Sequence, residues 1–229
     1  SNANEGYYGT MLGLKGIPAS AEESIAARDI MIARDTGGKL HLAHLSTAGS
    51  VEILKWAKKQ GISVTAEVTP HHFSLDDSAL VSYDTNFKMN PPLRSKEDVK
   101  AIKKALKDGT IDVIATDHAP HAELDKDVEW NQAAYGIIGL ETAFPLIITE
   151  LVNTGVLSLP EAVAKITCNP AGILNLERGT LSEGAEADIT IADIEKEVEI
   201  NEAFFGSRSS NSPFIGRKLK GAVETVIKS

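Results

Sequence analysis

The chain has 229 residues, 42% of them hydrophobic and 5% aromatic, which is enough to bury a substantial core in one large domain or two modest ones. Its formal net charge of −9 argues against nucleic acid and anionic membrane surfaces as partners. The single cysteine, Cys168, excludes an internal disulfide and favours a cytoplasmic location, and no apolar run reaches membrane-spanning length.

The N-terminal part predicts a loop followed by a helix. We interpret residues 1–3 as the remnant of an expression tag and leave them out of the fold prediction. Residues 4–20 are rich in glycine and tyrosine without a clear period, which is typical of a loop. Apolar residues then recur at helical spacing over 21–34, with Ser20 as the expected N-cap and Gly37-Gly38 as the end.

The middle of the chain alternates between strand and helix patterns, which is typical of a parallel sheet covered by helices. The predicted elements are strand 39–46, helix 50–59, strand 62–69, helix 95–107 and a strand beginning at 111. Alternation places Ile111, Val113, Ala115 and Asp117 on one face of the last strand. In the first strand, His44 shares a face with Leu40 and Leu42, whereas His41 is expected on the helix-packing face with a structural role.

The C-terminal part changes character. An acidic loop is predicted over 122–132, and helices are predicted over 139–154, 158–167 and 169–174. Beyond Arg178 the pattern favours short antiparallel strands, a loop-rich stretch over 204–221 and a final strand over 222–227. We therefore predict two units, 4–175 and 176–229.

Polar side chains follow the ends of the three predicted parallel strands. They are His44, the pair His71-His72, and Asp117 with His118 and His121. Because the carboxyl ends of parallel strands lie on one side of a sheet, where active sites are found, we expect these groups close together. Histidine and aspartate suit zinc or another divalent ion. The alternative is that the histidines are satisfied core residues and that Asp117 caps the following loop.

Five sequence motifs resemble those of dihydroorotase, a metal-dependent cyclic amide hydrolase of the amidohydrolase superfamily. They are His41–Thr47 (HLAHLST), Ala66–His72 (AEVTPHH), Met89–Arg94 (MNPPLR), Thr116–His121 (TDHAPH) and Gly136–Ala143 (GIIGLETA). Hydantoinases and allantoinases share the metal-binding acid but differ around 89–94 and 117–121. The C-terminal stretches Asn211–Phe214 and Leu219–Gly221 also fit the dihydroorotase pattern.

The resemblance implies an α/β fold, namely barrel strands six to eight of a (β/α)8 barrel followed by the C-terminal strands of a small β-sandwich. It implies the reversible, zinc-dependent ring closure of N-carbamoyl-L-aspartate to dihydroorotate in pyrimidine synthesis. By motif match, His44 and Asp117 are metal ligands, and Asp117 also transfers a proton. Asn90, His121 and the Tyr135-Gly136 backbone hold the substrate; the family usually has phenylalanine where Tyr135 stands.

The chain departs from the family in one large respect. The family site also needs a His-x-His pair with a neighbouring arginine after the first strand, a bridging residue after the fourth and a histidine after the fifth, and this sequence has no His-x-His. We therefore expect a C-terminal half that binds metal weakly and does not turn over by itself. Open barrel edges predict self-association, as a homo-oligomer, or pairing with the missing half.

Two other functions stay open at this stage. One is a non-catalytic dihydroorotase-like scaffold that associates with aspartate carbamoyltransferase. The other is a hydantoinase-like specificity. Retention of His44, Asn90, Asp117 and His121 favours the enzyme over the scaffold.

Overall fold

The computed structural model describes residues 3–228, so Ser1 and Asn2 of the interpreted tag lie outside the described residues. Ala3 contributes to the fold, because it is 1% exposed and pairs with Gly16. This pairing joins β1 (Ala3–Asn4) to β2 (Gly16–Ile17), with α1 (Tyr7–Met11) between them.

The prediction of a loop over 4–20 is therefore wrong. The short elements there carry no period because distant contacts hold them in place. The side-chain amide of Asn4 donates to Asp77 Oδ2 over 2.8 Å, and Arg94 Nη1 donates to Asn4 Oδ1 over 3.0 Å. Interactions across more than 70 residues leave no local pattern in the sequence.

The predicted parallel sheet is confirmed. It contains β3 (Leu40–Leu42), β4 (Val64–Val68) and β5 (Val113–Ile114), all parallel and in that order. The helices that connect and cover it are α2 (Ala19–Thr36), α3 (Ala48–Lys59), α4 (Pro70–Ser74) and α5 (Lys96–Lys107).

One face of this sheet is covered by helices and the other is open. In β4, Val64 and Val68 are buried under the helices, whereas Thr65 and Glu67 are partly exposed on the opposite face. His41 lies on the open face, where its ring nitrogens contact Thr65 Oγ1 at 2.8 Å and Glu67 Oε2 at 3.1 Å. Its expected position on the helix-packing face is therefore wrong.

The regular alternation predicted beyond the strand ends is also wrong. Strand β5 is two residues long, and Val113 and Ile114 are both buried. Asp117 lies past its end with φ 48°, and His44 lies past the end of β3 with φ 39°. Left-handed backbone at these positions breaks the face pattern that an extended strand would have continued.

Most helix termini are determined by the residues next to them. Helix α2 ends at Gly37, whose φ of 70° suits a residue without a side chain, but it begins at Ala19 after Pro18, so the expected N-cap Ser20 lies inside it. Helix α5 begins at a capping box formed by Ser95 and Asp98.

The first two predicted C-terminal helices are shorter in the structure, whereas the third lies within one residue of its predicted bounds. The acidic stretch contains α6 (Glu123–Lys126), so the loop predicted there is interrupted. The continuous helix expected over 139–154 is instead α7 (Leu140–Ile147), with Pro145 inside it, followed by a π-helical segment over Ile148–Val152. Two short helices follow, α8 (Leu159–Ala164) and α9 (Cys168–Ile173).

The last part of the chain forms one long antiparallel pair, β6 (Ile189–Glu199) and β7 (Lys218–Ile227), which is longer than the predicted strands. The end of this pair at the start of β7 belongs to the main hydrophobic core, because Phe214 and Leu219 lie in the same buried cluster as Leu146 and Leu151. Within residues 3–228, none of the helices has the length and apolar content needed to cross a membrane.

Candidate active site

His44 and Asp117 leave the sheet at the same edge, on either side of β4. Beyond the strand ends the chain stays paired, since Leu45 N–H donates to Glu67 O and Ala115 N–H donates to Val68 O, both over 3.0 Å. The two residues therefore follow strands that are two sheet spacings, about 10 Å, apart. A ligand at this edge can be approached from both sides of β4.

Both residues have left-handed backbone, which is uncommon for residues other than glycine. Such conformations cost on the order of 1–3 kcal/mol each and persist only where surrounding contacts hold them, often at functional sites. His44 is half-buried and Asp117 is exposed, so both side chains are accessible from the sheet edge.

His71 and His72 begin α4 directly after β4 and are both buried. Both ring nitrogens of His72 are engaged, with Thr69 Oγ1 at 2.8 Å and Pro91 O at 2.9 Å. Burial lowers the pKa of His72 to about 4, so its ring is neutral near pH 7. These contacts give His72 a structural role that ties the start of α4 to the loop at Pro91.

His71 differs from its neighbour. Its Nε2 atom is buried and has no hydrogen-bond partner among residues 3–228. Burial, followed by the proximity of His72 and His44, lowers the pKa of His71 well below its usual value. His71 is therefore a buried, neutral imidazole with an unsatisfied nitrogen.

The two histidines after Asp117 have different surroundings. His118 Nδ1 accepts hydrogen bonds from the backbone N–H groups of Gly139 and Leu140 at 3.1 and 3.3 Å, so His118 caps α7. His121 Nε2 donates to Tyr135 O over 2.7 Å. The structure thus joins His121 to Tyr135, and the substrate-holding role predicted for these residues stays a prediction.

The backbone of Gly136 is largely engaged within the protein. Its N–H donates to Lys88 O over 3.0 Å, and its carbonyl accepts from Lys126 Nζ at 3.1 Å and Asn211 Nδ2 at 3.2 Å. Tyr135 is 37% exposed, and Lys88 Nζ lies 4.5 Å from the centre of its ring. Asn90 is exposed. Both polar backbone groups of Gly136 are therefore engaged within the protein, whereas Asn90 and Tyr135 are exposed residues of this region.

Sequence reasoning missed the two lysines that shape this segment. Lys88 is 1% exposed, and its ammonium donates to the carbonyls of Trp130 and Ala133, each over 2.6 Å. Lys126 donates to Ala134 O over 2.9 Å, and burial, followed by the nearby Lys88, lowers its pKa to about 8. The one local sequence signal for a buried Lys88 is its position between Phe87 and Met89, both of which pack in the interior.

Asn211 was noted in the sequence without a role. Its Oδ1 accepts the N–H of His121 over 3.2 Å, and its Nδ2 donates to Ala119 O over 3.0 Å as well as to Gly136 O. It therefore fixes the chain around His121 relative to Gly136. A cavity of about 730 Å³ beside His121 and Asn211 has neither His44 nor Asp117 in its lining.

The donors at the sheet edge suit zinc in type but not in number. Imidazole nitrogen and carboxylate oxygen are ordinary zinc ligands, and zinc sites in enzymes use at least three protein ligands. In the part of the chain that the structure describes, no group of three or more His, Cys, Asp or Glu side chains could hold a metal ion. His44 and Asp117 therefore fit part of a zinc site.

Curated relatives share most of this sequence. The chain is 58% identical to the dihydroorotase of Pelotomaculum thermopropionicum over 95% of its own length and 51% of the relative's. It is 58% identical to the dihydroorotase of Endomicrobium trichonymphae and 53% identical to that of Geobacter metallireducens, covering 98% of this chain in each case and 54% and 53% of those relatives. The chain thus spans about half the length of the curated relatives it matches.

Solved structures show the same fold. The dihydropyrimidinase of Brevibacillus agri superposes with a TM-score of 0.87 at 25% identity, over 92% of this chain and 48% of that protein. The L-hydantoinase of Arthrobacter aurescens gives 0.83 at 27% identity, over 90% of this chain and 47% of that protein. The α/β fold class is therefore confirmed.

A sequence model of the amidohydrolase family matches residues 14–229, which is nearly the whole chain. On this match, the chain belongs to the amidohydrolase family.

Proposed function

We propose that this chain is the C-terminal half of a dihydroorotase, which interconverts dihydroorotate and N-carbamoyl-L-aspartate in pyrimidine synthesis. The observation that carries the proposal is the placement of His44 and Asp117 at one sheet edge, both in left-handed backbone. Relatives named dihydroorotase, at 52–58% identity, support this substrate class.

His44 and Asp117 would hold zinc together with ligands from the half that the relatives have and this chain does not contain. Bound zinc polarises a carbonyl and lowers the pKa of water. The Asp117 carboxylate accepts a proton from the attacking water and returns it to the amide nitrogen as the ring bond breaks. Asn90 and His121 orient the substrate. The chain alone, with two ligands, binds metal weakly and does not turn over.

The proposal extends to architecture. Strands β3, β4 and β5 correspond to strands six to eight of a (β/α)8 barrel, within a barrel portion over 4–175, and residues 176–229 belong to a small β-sandwich. The open face around His41 and Glu67 is then the barrel interior. We place the protein in the cytoplasm, as a homo-oligomer or paired with its other half.

The test uses a full-length protein in which this chain follows the upstream half found in the relatives. We expect hydrolysis of dihydroorotate and a loss of at least about a thousandfold in kcat/KM for His44→Ala and for Asp117→Asn, because each removes a zinc ligand. The matched control Asp125→Asn, an exposed carboxylate in α6, should keep wild-type rates. Wild-type rates in Asp117→Asn would contradict the assignment.

A second candidate is hydantoinase-type specificity, because the solved structures with high TM-scores are hydantoinases and a dihydropyrimidinase. Hydantoin, dihydrouracil and allantoin therefore belong in the same assay. Turnover of hydantoin without turnover of dihydroorotate would favour this candidate. The comparisons do not favour a non-catalytic scaffold for aspartate carbamoyltransferase, and stoichiometric zinc in the full-length protein would argue further against it.

A further inference from the structure

Four consecutive backbone N–H groups directly after His44 are held by groups from three different elements. We call Leu45–Ala48 the anchor loop. The acceptors are Glu67 O for Leu45 at 3.0 Å, Glu22 Oε1 for Ser46 at 2.9 Å and for Thr47 at 3.2 Å, and Asp98 Oδ1 for Ala48 at 2.8 Å. The anchor loop is therefore fixed from α2, β4 and α5 together.

Glu22 makes the most of these contacts. Besides the two N–H groups at Oε1, its Oε2 accepts the hydroxyl of Ser46. Its side chain is only 14% exposed, so these donors take the place of the water molecules that would surround an exposed carboxylate. Hydrogen bonds to an ionised carboxylate are about twice as strong as those between neutral groups.

A buried arginine completes the arrangement. Arg94 is 2% exposed, its Nε donates to Ser46 Oγ over 3.1 Å, and its Nη2 lies 3.7 Å from Glu22 Oε2. Its Nη1 donates to Asn4 Oδ1 over 3.0 Å and to Ile17 O over 2.7 Å. The guanidinium thus supplies the countercharge that a buried carboxylate needs.

The left-handed backbone of His44 needs support on both sides. Strand β3 fixes the chain before it, and the anchor loop fixes the chain after it. If the anchor loop relaxes, His44 can leave its costly conformation, and its ring moves with it.

We propose that Glu22 is the positioning residue that sets His44 in its ligand orientation, with Arg94 as its charge partner. This inference rests on the proposed function, in which His44 binds zinc. Groups that orient a metal ligand typically change metal affinity by about 10- to 100-fold when they are removed.

The test measures zinc affinity by competition with a chelator, and the visible absorption spectrum of the cobalt-substituted protein, in the full-length protein. Glu22→Gln keeps the side-chain length but removes the charge and one acceptor oxygen. We expect zinc to bind about tenfold more weakly and the cobalt spectrum to change, because the Ser46 hydroxyl loses its acceptor and Arg94 loses its countercharge. Glu52→Gln, the same change at an exposed site on α3, should leave both unchanged.

A lone buried arginine could prevent folding of Glu22→Gln. The double variant Glu22→Gln/Arg94→Gln removes both charges together, and the same loss of zinc affinity is expected. Wild-type affinity and spectrum in either folded variant would overturn the inference. His44→Ala separates the two claims. If it leaves zinc affinity unchanged, the proposed function fails; if it weakens zinc and the Glu22 variants do not, only the positioning role fails.

Discussion

His44 and Asp117 could be located from sequence as polar residues at strand ends, but their backbone conformation could not. The loop after His44 is held by Glu22 and Asp98, which lie 24 and 50 residues from the loop positions whose N–H groups they accept. Separations of this size leave no periodic signal. The same limit applies to the face of His41, because its ring contacts Glu67, which lies 26 residues away on the open face of the sheet.

Gly136 offers a test at the scale of one residue. Its φ is 109°, and an added Cβ would lie 2.6 Å from the Cβ of Ala119. Gly136→Ala should therefore lower the free energy of unfolding by about 2 kcal/mol or more, because backbone strain and a steric clash add. Denaturant unfolding measures this loss.

Gly155→Ala is the matched control, since Gly155 also has a positive φ of 71° but nothing within 4 Å of an added Cβ. It should cost about 1 kcal/mol from backbone strain alone. Equal losses in the two variants would show that Gly136 is not packed against Ala119.

At the scale of elements, prediction succeeded where helix ends are determined by neighbouring residues. Helix α5 was predicted from the sequence, and both α5 and α8 begin at capping boxes, formed by Ser95 with Asp98 and by Ser158 with Glu161. Prediction failed where contacts between residues far apart in sequence determine the structure, as in β1 and β2. It also failed where the hydrogen-bond pattern departs from that of an α-helix, as in the π-helical segment after α7.

The capping box of α5 gives a direct prediction. Ser95→Ala removes the side chain that accepts the N–H of Asp98 and should lower the free energy of unfolding by about 1 kcal/mol. Ser20→Ala should change it by less than about 0.5 kcal/mol, because Ser20 is exposed inside the first turn of α2 and not at its N-cap. A larger loss for Ser20→Ala would restore the original cap prediction.

At the scale of the whole molecule, three parallel strands with one open face resemble part of a closed barrel more than a finished sheet. The open face carries His41, Thr65 and Glu67, polar groups that contact one another. The chain covers only 51% and 54% of two curated relatives, so under the proposed function the remaining zinc ligands would come from the other part of such a protein. The sequence predicted the parallel sheet and the polar residues that follow its strands, whereas the assignment to barrel strands six to eight stays a prediction.

The most direct test of the account is zinc binding by this chain with and without the upstream half, measured by chelator competition. The account predicts weak binding by the chain alone and tight, stoichiometric binding when both halves are present, because a catalytic zinc site needs at least three protein ligands. His44→Ala and Asp117→Ala should each weaken the tight binding by at least about tenfold. Tight binding that survives both substitutions would show that the zinc site lies elsewhere.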